Sequence, residues 1–145
     1  MHSSTTRQRS PTRAPARGVA SVELALLLPI LMLVLFGTIE YGWMFLKNQQ
    51  LADAARSGAR VAVTAGATNA LARARVDEVM TTAGLAASGY QVTFTPGDIS
   101  SAVPGTAVRV EVLVSYANIG LTGIPLIPVP SALEGQTSMI KEGTP

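Results

Sequence analysis

The chain has 145 residues, about the length of one domain, and charged residues make up only 14% of it, against about 25% in a typical soluble domain. It has no cysteine and one histidine, His2, which excludes disulfides, thiolate catalysis, cysteine-based metal sites and histidine triads. The formal charge of +2 is uneven: Arg7, Arg9, Arg13 and Arg17 stand in the first eighteen residues without an acid, and the rest of the chain holds seven basic and nine acidic residues. The basicity belongs to a tail and does not point to nucleic acid.

Residues 1–18 are rich in Ser, Thr, Arg and Pro and have almost nothing apolar to bury, so they read as a disordered basic leader. The text then changes abruptly. Between Glu23 and Glu40 lie sixteen residues without a charge, and 19–46 holds only two carboxylates. A bilayer core needs about 20 apolar residues as a helix, so 19–46 predicts a transmembrane helix. Pro29 is tolerable within it, because neighbouring helices or local adjustments satisfy the freed backbone groups. Tyr41 and Trp43 suit the far interface, and Lys47 marks the exit. Arginines before the span predict a cytoplasmic N-terminus, with 47–145 as an extracytoplasmic α+β domain. A cleaved secretory signal fits poorly: the apolar run is long, and no small-residue cleavage site closely follows it.

Beyond Lys47 the helix is expected to continue. Ala52, Ala55, Ala59, Ala62 and Gly66 recur at spacings of three and four, a stripe of small residues along one face. Small stripes allow close approach, either to this chain's own sheet or to another helix. Asn69 is a candidate N-cap for a second helix over 70–83, with Leu71, Val76, Val79 and Met80 on its buried side and Gly84 as its stop. The carboxylates Asp77 and Glu78 are expected on a solvated face. The period then becomes two. Tyr90, Val92 and Phe94 alternate with polar residues, as do Val108, Val110, Val112, Val114 and Tyr116 with Arg109, Glu111, Leu113 and Ser115, which predicts two half-buried strands. A third strand is expected near 136–141. Between them lies IPLIPVP, 124–130, whose prolines remove ladder donors; it reads as an apolar loop lining the core or as an exposed docking segment.

No phosphate-binding glycine loop, H-E-x-x-H or nucleophile-elbow pattern is present, so no catalytic residue, metal site or cofactor is expected, and an enzyme is not. Glu23 is out of place at the start of an apolar run, where a carboxylate is a functional hypothesis by default. Its candidate cationic partners are Arg17 and an amino-terminus freed at Val19.

Gly18-Val19-Ala20-Ser21-Val22-Glu23 resembles a prepilin processing site: a glycine, the cut, then glutamate at the fifth mature position before an apolar helix. Residues 17–66 as a whole resemble the TadE-like family, minor pseudopilins of the tight-adherence (Flp pilus) assembly system. The resemblance rests on Ser21-Val22-Glu23-Leu24-Ala25, Leu28-Pro29, Glu40-Tyr41-Gly42 and, most specifically, Ala54-Ala55-Arg56-Ser57-Gly58-Ala59-Arg60, with a looser similarity at Thr137–Glu142. Leu24 stands where the Flp-type motif has tyrosine. The resemblance implies a pilin-like structural protein of the bacterial cell membrane that assists assembly of an adhesive pilus. Its partners would be the lipid bilayer, other pilin-like and pilus assembly membrane proteins, and a prepilin peptidase acting at Gly18-Val19, with Glu23 as an assembly contact. The different class of reading is a single-pass anchored binding module of the envelope with no pilus role.

Overall fold

The computed structural model describes residues 16–143. The leader expected over 1–18 lies outside the described residues, apart from the helical backbone at 16–18. The first element is the long helix α1, Ala16–Ala62, rich in Ala and Leu, which form helices readily. The chain divides into two compact units, 1–35 and 36–145.

In the first unit the described part is α1 alone. Every side chain from Val19 to Leu35 is exposed, with Val19 at 71% and Leu26 at 70%. A helix of this composition, apolar on all sides, has no polar face to offer water. It is long and apolar enough to cross a membrane and is compatible with a single-pass anchor.

In the second unit α1 acquires a buried face. Glu40, Lys47, Leu51, Ala54, Ala55, Gly58, Ala59 and Ala62 are buried, spaced at three, four and seven residues as one side of a helix requires. The helix α2, Asn69–Thr82, packs Ala72, Val76 and Met80 inward. Three strands follow: β1 at Gln91–Thr95, β2 at Ala107–Ser115 and β3 at Ala132–Ile140. They form an antiparallel sheet in the order β1-β2-β3. The fold class is α+β. Val108, Val110, Val112 and Val114 on one face of β2 are buried and join the α1 and α2 side chains in one core. The register adds Val92 and Phe94 from β1 and Leu133, Gly135 and Met139 from β3 to the same face. Gln91, Thr93, Arg109, Glu134 and Gln136 fall on the other.

Several expectations shift by small amounts for identifiable reasons. Thr68 caps α2, its hydroxyl accepting from Leu71 N at 3.3 Å. Asn69, the expected cap, instead bridges to a distant loop: its Nδ2 donates to Gly97 O at 2.6 Å and its Oδ1 accepts from Ile99 N at 2.9 Å. Leu71, expected on the buried side of α2, is 57% exposed, and Ala72 takes the inward position. Asp77 is not simply solvated, since it accepts from Tyr90 Oη at 2.6 Å. The third strand begins at Ala132, four residues before its expected start. Glu134, Gly135 and Gln136 have weak strand propensity, but pairing with β2 overrides it.

Chain closure is electrostatic as well as apolar. Lys141 is buried, and its Nζ donates to Ala62 O and Thr64 O, each at 3.1 Å. A cation thereby satisfies carbonyls at the C-terminus of α1.

Candidate functional site

The site is built where α1 first becomes buried. Glu40 is 2% exposed. Among the described residues, four donors converge on its carboxylate. Tyr116 Oη donates to Oε1 at 2.5 Å and Leu121 N donates to the same oxygen at 3.3 Å. Thr122 N and Oγ1 donate to Oε2 at 2.8 and 2.6 Å. Burying a carboxylate is costly unless it is hydrogen-bonded, and these donors meet that requirement. Tyr116 reaches it because β2 ends at Ser115 and the chain turns through a 3-10 helix, Tyr116–Asn118. The tyrosine read from alternation as the last strand residue therefore lies in that turn. Gly120 follows, where a Cβ would stand 3.3 Å from the Tyr116 carbonyl oxygen.

The neighbours of Glu40 hold the same loop. Tyr41 Oη donates to Pro128 O at 2.8 Å, and Trp43 Nε1 donates to Ile119 O at 2.7 Å. Lys47 lies 4.5 Å from the Trp43 ring centroid and donates to Gln50 Oε1 at 3.1 Å. Lys47 is thus a buried cation over an aromatic face. Together, one stretch of α1 clamps the loop from Tyr116 to Pro128. A groove of about 690 Å³ lies along it, lined by Glu40, Tyr116, Ile124, Ile127 and Val129 among others. Within IPLIPVP, Ile127 is buried, as in a loop lining the core, while Leu126 is 71% exposed.

The small-residue stripe packs within the chain. Ala55, Ala59 and Ala62 are fully buried in the core with Leu51 and Ala54. Ala52 is half-buried, and Gly66 is exposed in the turn after the helix with φ 74°. The buried face is therefore rotated from the expected stripe, because the sheet and α2 flank α1 on adjacent sides. Gly58 is the tightest point toward α2, where a Cβ would fall 2.5 Å from Val76 Cγ2. On the outer side Arg56 pairs with Asp53 at 2.7 Å, both half-exposed, a pair worth little in water; Arg60 is exposed. The segment from Ala54 to Arg60 is accordingly a packing motif with a solvated basic edge.

Gly18, Val19 and Glu23 are exposed and lie on one side of α1 with Val22 and Leu26. The Gly18-Val19 bond is within the helix as described, one turn from its start.

Three features escaped sequence reasoning: the partners of Glu40, the Lys141 cap and the close approach at Gly135. A Cβ on Gly135 would overlap the backbone of Leu51 and Ala52, so β3 and α1 touch main chain to main chain. The isolated carboxylate at position 40, at the end of an uncharged run, was the one available signal for the first.

The architecture defines a class: a small α+β domain continuous with one apolar helix long enough to cross a membrane. More particularly, the TadE-like protein family model matches residues 18–60, the stretch holding the apolar run, Glu40 and the Ala54–Arg60 motif. No curated protein and no solved structure matches the chain.

Proposed function

We propose that this chain is a membrane-anchored, pseudopilin-like structural protein that assists assembly of an adhesive pilus of the tight-adherence type, without catalysis of its own. The observation that carries the reading is the TadE-like match over 18–60, which unites the apolar helix with the motif on which the domain packs. In this reading α1 crosses the bacterial cell membrane once. The leader arginines hold the N-terminus in the cytoplasm, and the domain faces the periplasm or the exterior. The partners are other pilin-like and assembly proteins in the same membrane. A prepilin peptidase cutting at Gly18-Val19 would remove all four leader arginines.

Detergent extraction from native membranes, followed by affinity purification and N-terminal sequencing, tests this directly. Pilus assembly proteins should co-purify, and the mature chain should begin at Val19. A chain beginning in the leader refutes processing, and a monomer without such partners refutes the assembly role. The groove beside Glu40 favours a second reading, an anchored envelope binding module. That reading requires an uncleaved monomer retaining a small ligand.

A further inference from the structure

We propose that the proline-rich loop 121–130 lies on the bilayer surface, with Leu126 and Val129 seated among the lipid headgroups and the first acyl carbons. The proposal rests on the reading of α1 as a membrane span.

The stretch of α1 from Val19 to Ile39, with Glu23 near its start as its one charge, is about 31 Å long at about 1.5 Å per residue, which matches a hydrocarbon core of about 30 Å. It ends one residue before Glu40. Glu40 and Tyr41 are also the residues that hold the loop, through Leu121 N, Thr122 and Pro128 O. The loop is therefore bonded to α1 at the level where the helix leaves the apolar layer. Phe36 and Ile39, in the same unit as the loop, are exposed apolar side chains immediately before that level.

The chemistry of the loop suits lipid. Leu121, Leu126 and Val129 are exposed, and no charged residue stands between Glu111 and Glu134. Pro125, Pro128 and Pro130 carry no backbone N–H, which reduces the number of donors left unsatisfied in an apolar layer. Tyr41, which donates to Pro128 O, and Trp43, which donates to Ile119 O just before the loop, are the residue types enriched at membrane interfaces. A loop without Lys or Arg has no attraction to anionic headgroups, so the occupant is the apolar boundary of the bilayer.

The chain has no cysteine, so single-thiol variants can be spin-labelled without further change. The full chain, reconstituted in phosphatidylcholine vesicles, is labelled in turn at Leu126→Cys and Val129→Cys. Leu31→Cys in the span and Thr93→Cys on the outer sheet face serve as references. Collision rates with oxygen, which partitions into lipid, and with a water-soluble nickel chelate are compared. The ratio of oxygen to nickel collisions at 126 and 129 should be intermediate, several-fold above that at 93 and below that at 31. If 126 and 129 behave like 93 while 31 is lipid-exposed, the loop is in water: the proposal fails and the span stands. If 126 and 129 are shielded from both reagents, protein covers the loop and the proposal also fails. If 31 itself is open to nickel, the span reading falls and takes this one with it.

Discussion

Removing the Glu40 carboxylate leaves a buried tyrosine hydroxyl, two backbone amides and a threonine hydroxyl without their acceptor. An unsatisfied buried polar group costs about 1–3 kcal/mol. Glu40→Ala is therefore expected to destabilise the domain by at least that amount and to loosen 116–128 first. Amide exchange should accelerate at Leu121 and Thr122 before it does in β2. Tyr116→Phe removes one donor and should have a smaller effect. A second residue-scale prediction concerns pH. Burial, followed by the Asp77 carboxylate that accepts its hydrogen bond, pushes the Tyr90 hydroxyl up to about 12 from an ordinary 10. The protonated form is the one favoured by folding. The contribution is thus complete below pH 10 and is lost as pH rises from 10 towards 12. Thermal unfolding in detergent across that window should show a fall in stability that Tyr90→Phe reduces.

At the scale of elements, two glycines set how closely α1 lies against its neighbours. A side chain at Gly135 meets the main chain of Leu51 and Ala52, which cannot rotate away. Overpacking of this kind costs about 1–3 kcal/mol and occasionally more, so Gly135→Ala is expected at the upper end, with α1 and β3 forced apart. Gly58→Ala overlaps Val76 Cγ2, a side chain that can be shortened, while Ala72 O and Val110 Cγ1, each at 3.5 Å, are at ordinary contact distance. Its loss in melting temperature should be partly recovered in Gly58→Ala/Val76→Ala, whereas no trimming at Leu51 should rescue Gly135→Ala. Equal behaviour of the two glycines would contradict this account of the packing.

For the whole molecule, the two units divide the labour. The second has its own core, and the first presents apolar side chains on every side. Glu23 lies in the first unit, exposed on α1. If its role is in assembly, through a cation on a neighbouring chain that fixes axial register, Glu23→Ala should insert into membranes normally and incorporate less into the pilus complex. Membrane-fraction abundance and co-purification, measured side by side, separate the two effects. Normal incorporation refutes the register role, and failed insertion places Glu23 at an earlier step.

The sequence by itself determined the apolar helix, the second helix and the two alternating strands, because period and hydropathy are local properties read within a dozen residues. It also carried the Ala54–Arg60 motif, as a string of small residues whose spacing marks a packed face. Only the tertiary structure decided what those residues pack against, since a small stripe fits a sheet and a neighbouring helix equally well. The same holds for Glu40. Its donors lie 76 to 82 positions away along the chain, and no local pattern records a hydrogen bond across such a distance. Gly135 reads locally as a flaw in a weak strand. It becomes a requirement only when the backbone of α1 is brought onto it, because close approach is a property of two segments together and belongs to neither alone.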